Sequence, residues 1–464
     1  MVHHITAATS VFAVTGDAFA NSGPDTTLIV DADAFLISAT GGDGARLNGA
    51  WTATINGEVD SFDSAGAGVR LTGSTPADAF KVTIGNTGDV FGAFGLRFEQ
   101  GTGTVTNKGS IAAAGFGTNG TGSVGLRIAA DGDVTINNPG SIQSTGTGLR
   151  HFGTGVLTLV NSGTIAGAVG AISSSGEAHI KNLGTLDGDV ALGNTDDTFS
   201  NFGFVKKVTS HGVVKIIKNG TVDGLIDLGA GADTFKGGAN AETVRDSAGS
   251  DTYNFGGGND TYIAFNGVAS NNDIVNGGKG IDTYDASAGA SQTISLKDQI
   301  TIGGDIGSDT IIGFENVIAG NGGDSLIGSN GANHLIGGTG GDVFDGLGGR
   351  DILTGNAGTD EFRFLALSDS GPKASQRDLI TDFTQGEDLI DISAIDAKTG
   401  GASDDQFTLI GVQNFHGVKG ELRESFKNGN TIVSGDVNGD GNADFSVALK
   451  GHVLLTPDDF TNVL

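Results

Sequence analysis

The chain has 464 residues, of which 82 are glycine and none is cysteine, and a formal net charge of −29 from 25 basic and 54 acidic residues. That charge repels nucleic acid and anionic membranes. The missing cysteine excludes disulfides and thiolate metal sites, and glycine without a three-residue period excludes collagen. No apolar stretch approaches the ~18 residues of a membrane-spanning helix. The opening MVHHITAATSVFAVTG lacks a basic region followed by a long apolar run, so no N-terminal export signal is expected.

Residues 1–187 read as a parallel β-helix. An Asn-x-Gly-x-apolar marker recurs at Asn86, Asn107, Asn138, Asn161 and Asn182, at spacings of 21, 31, 23 and 21 residues. Short alternating strands such as Val134-Thr-Ile136 and Leu157-Thr-Leu159 precede it. Stacked asparagines at equivalent turns predict a ladder of side-chain amides from coil to coil. A second marker, Gly-x-Arg-x, places Arg46, Arg70, Arg97, Arg127 and Arg150, the only arginines in the first 200 residues. Strand alternation points their apolar neighbours inward and the arginines outward. In-register coils would stack them at roughly 5 Å steps. Arg70, Arg97, Arg127 and Arg150 are thus candidate contacts for an anionic polymer such as an acidic polysaccharide. The competing reading is a solvated face paired with nearby acids.

Residues 188–285 read as a first β-roll built on nine-residue units. The join falls near 187–227, where residues 187–199 match residues 223–235 at seven of thirteen positions. LGAGADTFK spans 228–236, DSAGSDTYN 246–254, FGGGNDTYI 255–263, VASNNDIVN 268–276 and GGKGIDTYD 277–285. The intervening GGANAETVR at 237–245 replaces the fourth-position glycine by Asn240 and the sixth-position acid by Glu242, so its ion site is expected to be weak or absent. Residues 286–318 interrupt the pattern. It resumes without a gap over 319–363 as AGNGGDSLI, GSNGANHLI, GGTGGDVFD, GLGGRDILT and GNAGTDEFR.

Each position has its own physical task. Glycine permits positive φ in a tight loop, the sixth-position carboxylate offers hard oxygen, and the apolar eighth position points inward from a very short strand. Two successive units make one turn, so one ion would draw on loops two repeats apart, such as Asp324 with Asp342 or Asp342 with Asp360. The expected metal-binding residues are Gly229, Gly231 and Asp233; Gly249 and Asp251; Gly258 and Asp260; Asp273; Gly280 and Asp282; Gly320, Gly322 and Asp324; Gly331 and Asn333; Gly338, Gly340 and Asp342; Gly349 and Asp351; Gly358 and Asp360. All three tyrosines, Tyr253, Tyr262 and Tyr284, occupy eighth positions and read as core.

These nonapeptides resemble the RTX, or hemolysin-type, calcium-binding repeats. Residues 364–464 add a second resemblance. Asp378-Leu-Ile-Thr-Asp382-Phe383, Gly386-Glu-Asp388-Leu-Ile-Asp391, residues 435–445 and the ending Leu455-Thr-Pro-Asp-Asp-Phe460 look like the serralysin C-terminal domain. The resemblance implies several calcium ions, a cap that closes the roll, a type I secretion signal and therefore an extracellular location. The N-terminal coils look like autotransporter and hemagglutinin-type β-helix passengers, which names no activity. The fold class expected is all-β: a parallel β-helix, a calcium-binding parallel β-roll and a β cap. Asp436 to Asp444 imitates the start of a helix-loop-helix calcium loop, but Val447 stands where its closing Glu belongs. A turn is the reading preferred there.

No His-Glu-x-x-His zinc motif is present, and the eight histidines are scattered. Asn194-Thr-Asp196-Asp197 with His211 imitates a polygalacturonase site, but Asp197 aligns with Asp233 of the nonapeptide frame. The expectation is a secreted calcium-binding module with a structural or binding role, its partners being calcium, the type I export machinery and an acidic polysaccharide or cell surface. The alternative is a calcium-dependent lyase or epimerase acting on an acidic polysaccharide.

Overall fold

The computed structural model describes the chain except residues 14, 22–25, 74, 76, 115–121, 210–211, 265–271, 304–305, 401–404 and 462. It is all-β, with two one-turn 3₁₀ helices among the described residues, and it divides into two compact units, Met1–Gly258 and Asn259–Leu464.

The first unit begins as a parallel β-helix with three strands per coil. One face stacks Val2–Ile5, Thr26–Val30, Trp51–Ile55, Ala79–Ile84, Thr102–Asn107, Val134–Asn138, Leu157–Asn161 and Ala178–Asn182 in parallel register. A second face runs from Val11–Ala13 to Thr221–Asp223, and a third from Phe19–Asn21 to Leu225–Asp227. The strands are short and alternate. In Leu157–Asn161, residues 157, 159 and 161 are buried and the two between them are not. Side chains of successive strand residues point to opposite faces, so every second position fills the interior.

Thr221–Asp223 is the last described strand of the second face. Beyond it, Leu225–Asp227 pairs with Thr243–Arg245, and Thr234–Lys236 with Thr252–Asn254. A three-faced coil has become a two-faced roll, and the change occurs inside the first unit. The sheet runs without a break through the boundary expected at 187, because Leu186 pairs with Val222. The 36-residue offset between the two similar segments also acquires a cause. Thr198–Ser200 pairs directly with Thr234–Lys236, and the extra length is an antiparallel hairpin of Phe202–Thr209 and Gly212–Asn219. His211, and with it the polygalacturonase imitation, lies outside the described residues, as do residues 268–271 of the VASNNDIVN unit.

In the second unit one sheet stacks Thr261–Ile263, Thr283–Asp285, Asn316–Ile318, His334–Ile336, Ile352–Thr354 and Leu379–Ile380. The opposite sheet stacks Ser325–Ile327, Val343–Asp345, Glu361–Arg363 and Leu389–Asp391. The stretch 286–318, expected as an interruption, supplies strands to both sheets. Gln292–Ser295 pairs in parallel with Ser325–Ile327 and antiparallel with Ile300–Gly303, while Asn316–Ile318 continues the first sheet.

The eighth-position residues form the core between the sheets. Phe344 and Phe362 stack at 5.0 Å, and Tyr262 and Tyr284 lie 5.3 Å apart, all fully buried. The roll ends in an antiparallel meander of Glu421–Lys427, Asn430–Asp436 and Phe445–Lys450, whose last strand pairs with Leu379–Ile380. Phe460–Thr461 closes the other sheet against Leu389–Asp391.

Candidate metal centre

Most short roll strands are entered from a loop whose backbone favours glycine. The fourth-position glycines Gly231, Gly249, Gly258, Gly280, Gly322, Gly349 and Gly358 have φ between 135° and 154°. A side chain at Gly249 would strike the carbonyl of Gly231, and one at Gly358 that of Gly340. Loops of neighbouring coils therefore lie in backbone contact, and the sixth-position carboxylate of each emerges at the edge of the core.

There the aspartates form columns. The Asp324 amide donates to Asp342 Oδ1 at 2.8 Å, the Asp342 amide to Asp360 Oδ1 at 2.9 Å, and the Asp360 amide to Asp388 Oδ1 at 3.0 Å. On the opposite edge the Asn333 amide donates to Asp351 Oδ1, and the Asp351 amide to Asp378 Oδ1, both at 2.8 Å. The first unit repeats the arrangement with Asp197, Asp233 and Asp251 at 2.6 and 2.7 Å. Further back in the second unit, Asp260 and Asp273 donate their amides to Asp282 and Asp309. One carboxylate oxygen of each acid is thus committed to its neighbour. The other oxygen, Oδ2, is buried without a hydrogen-bond partner in Asp197, Asp233, Asp282, Asp324, Asp351 and Asp378.

A buried carboxylate with an empty oxygen resists ionisation. Burial pushes Asp197, Asp251, Asp324 and Asp360 up to about 6, Asp233 and Asp351 to about 7, and Asp378 to about 8. Like charges in the same column add to the rise, for example Asp251 on Asp233 and Asp351 on Asp378. A hard cation reverses that logic, because it takes up the free oxygens and favours the charged form. The donor set is all oxygen, with neither thiolate nor imidazole in the columns, which suits calcium over zinc or copper.

Several positions differ from the sequence reading. Glu242 holds the same place against its first-position glycine, Gly237, as Asp342 does against Gly337, and its Oε1 accepts from the Asn201 side-chain amide at 2.8 Å, at the end of the asparagine ladder. Asp197, Asp309, Asp378 and Asp388 belong to the columns, although nonapeptide spacing does not reach them. Their signal was local, the tripeptide Asp-x-apolar that most units carry at their sixth to eighth positions. The tyrosines are core residues with a polar task. The Tyr253 hydroxyl donates to Asp246 and Asp251, each at 3.1 Å, and that of Tyr284 to Asp309 at 3.0 Å. The Asp436–Asp444 loop is bonded to itself. Asp436 accepts from Gly439 and Gly441, and Asp444 from Val437 and from the Asn438 side chain.

The asparagine ladder runs through Asn107, Asn138, Asn161, Asn182 and Asn201, each Nδ2 donating to the next Oδ1 at 2.8–2.9 Å. Asn86 lies outside it. Ile84 pairs with Asn107 while Val90 pairs with Ile111, so that turn holds two extra residues and carries Asn86 out to solvent.

The family model for the peptidase M10 serralysin C terminal matches residues 238–461. Residues 238–461 are a serralysin-type C-terminal domain with RTX repeats. Metalloprotease AprA of Pseudomonas entomophila (strain L48) is 46% identical over 160 residues, covering 33% of this chain and 32% of its own. The chain therefore spans about a third of the length of that curated relative. Among solved structures, the AlgE6R3 subunit of the Azotobacter vinelandii mannuronan C5-epimerase is 27% identical over 30% of this chain and 78% of its own, with a TM-score of 0.19. The AlgE6R2 subunit of that enzyme is 23% identical over 39% of this chain and 91% of its own, with a TM-score of 0.21. At these TM-scores neither superposition carries an argument. The match places the aspartate columns between residues 238 and 461 within a serralysin-type RTX module; Asp197 and Asp233 lie before it.

Proposed function

We propose that this chain is a secreted, calcium-folded binding or structural module, exported by a type I route and completed outside the cell. The observation that carries the reading is the row of buried aspartates whose Oδ1 is bonded to the neighbouring coil and whose Oδ2 has no partner. Asp233 in the first unit, and Asp282, Asp324, Asp351 and Asp378 in the second, would hold the ions through that oxygen, with Asp251, Asp342 and Asp360 as further members of the columns, the Oδ2 of Asp251 being bonded to Tyr253 and that of Asp342 to the Gly338 amide. Asn333 would be a neutral, weaker member, and carbonyls of the glycine loops would complete the shells. Bound calcium supplies the positive charge that lets stacked carboxylates ionise inside a packed solenoid. The glycines fix the loops, the aspartate amides set the spacing, and the eighth-position core keeps water out.

Export by a type I route and an extracellular site rest on the serralysin-type domain, whose relative AprA is named a metalloprotease. The proteolysis belongs to that relative. This sequence has no His-Glu-x-x-His, so that zinc chemistry is not carried over to it.

Calcium titration of the metal-stripped chain, followed by calorimetry and circular dichroism, tests the reading. Saturable uptake of several ions with a gain of β signal is expected, and Asp351→Asn should lower the number bound. Absence of both uptake and spectral change would overturn it.

A further inference from the structure

The third face of the first unit carries a charged column that shares no residue with the aspartate columns. Arg46, Arg70, Arg97, Arg127 and Arg150 pair with one another on five successive strands. Parallel strands lie ~4.8 Å apart, so five guanidinium groups are held in a row at a spacing where like charges repel.

The protein answers that repulsion at one end only. Asp43 Oδ2 lies 2.9 Å from Arg46 Nε and 2.8 Å from Arg70 Nε, with Asp17 Oδ2 3.3 Å from Arg46. Glu99 lies 3.8 Å from Arg70 and touches the Arg97 guanidinium. Three carboxylates serve the first three arginines. Arg127 and Arg150 have no carboxylate at ion-pair distance among the described residues, and residues 115–121, which precede the Arg127 strand, include no charged residue. What the upper two arginines do have is aromatic. Arg127 lies 4.3 Å from the Phe152 ring and 5.7 Å from that of Phe94, and Arg150 lies 5.7 Å from Phe152. The rings hold the guanidinium groups on the face but bring no counter-charge. Arg127 is partly buried, and burial, with the neighbouring Arg97 charge, draws its pKa down. A half-buried cation without an anion is a costly arrangement that a bound anion relieves.

We propose that Arg127 and Arg150, with the Phe94 and Phe152 rings, form a docking strip for a linear acidic polysaccharide bearing one carboxylate per sugar. Such a chain would run across the strands. A pyranose ring is about as long as one coil step, so successive carboxylates would meet successive guanidinium groups in forked hydrogen bonds. The apolar faces of the sugars suit the aromatic rings. The net charge of −29 disfavours a denser polyanion such as nucleic acid.

The test is calorimetric binding of the calcium-loaded full chain to oligogalacturonate and to alginate oligomers, with dextran as the neutral control. Binding to the uronates but not to dextran is expected, weakening as salt screens the contact. Arg127→Ala with Arg150→Ala should lower affinity by about tenfold, and the corresponding pair of lysine variants should restore part of it. Arg46→Ala, at the neutralised end, should stay within about twofold. Should the alanine pair disturb the fold, judged from the Trp51 spectrum, the lysine pair becomes the readout, because it keeps charge but loses the fork. No binding of wild type to either uronate, equal affinity of the readout variant, or tighter binding of single-stranded DNA would each overturn the proposal. None of these outcomes touches calcium uptake.

Discussion

One asparagine side chain governs how one coil sits on the next. Asn161 accepts from Asn138 and donates to Asn182 in a fully buried position. Asn161→Ala would strand a donor and an acceptor away from water. Each costs about 1–3 kcal/mol, so a loss of roughly 2–4 kcal/mol in the N-terminal coils is expected by thermal or denaturant unfolding. An unchanged transition would mean that water reaches the ladder. Leu347 offers a change of the opposite sign. It sits at φ 62°, in the left-handed region that Gly229, Gly256, Gly278 and Asn356 occupy at the same position of their units. The left-handed conformation costs a branched side chain ~1–2 kcal/mol, and glycine returns ~0.4–1 kcal/mol of that through unfolded-state entropy. Leu347→Gly should therefore raise stability modestly, by about 0.5 kcal/mol, in calcium-loaded protein.

The nonapeptide units were legible in the sequence because every position has one physical task and the tasks recur in phase. The fourth-position glycines, the sixth-position acids and the buried eighth position all lie where that phase puts them. What escaped was whatever broke the phase. Asp378 and Asp388 complete the columns from 27 and 28 residues beyond their partners, where a regular coil would take 18. The hairpin at Phe202–Asn219 hid inside a repeat because an insertion between strands leaves the flanking pattern intact. Asn86 was misplaced because a marker motif fixes a turn, not the number of residues leading into it.

The columns also set a pH response. Their carboxyl groups stand at about 6 to 8 in the fold against 3.8 when free, so the fold prefers the neutral form. Without metal, their stabilising contribution is complete below about pH 4 and is lost as pH rises to about 8. The melting temperature of metal-stripped protein should fall between pH 5 and pH 8, and calcium should abolish the fall. A metal-free melting point that climbed over that range would contradict the column geometry.

At the scale of the whole molecule, two kinds of ladder divide the work. Neutral amides link the three-faced coils, whereas carboxylates, which on the proposed function would need an ion, link the roll. The spectroscopic residues divide in the same way. Trp51, the only tryptophan, is buried in a three-faced coil, and all three tyrosines sit at the aspartate columns. Chelation should therefore erase near-ultraviolet tyrosine signal and leave the tryptophan emission wavelength within a few nanometres of its starting value. A red-shifted tryptophan would show that the first coils depend on calcium after all.

Both ladders also point one way. From Asn107 to Asn201 and from Asp324 to Asp388, each amide of the ladder, side chain or backbone, is given by the earlier coil and taken by the later one. A coil is finished only when its successor is in place, and the successor of the final roll coils is the cap. There the sequence of dependence stops: the Asp378 amide is taken by Ser370 Oγ and the Asp388 amide by the Thr384 carbonyl. A chain cut before Asp378 would hold every nonapeptide and still lack both carboxylates, Asp378 and Asp388, that take the amides of Asp351 and Asp360.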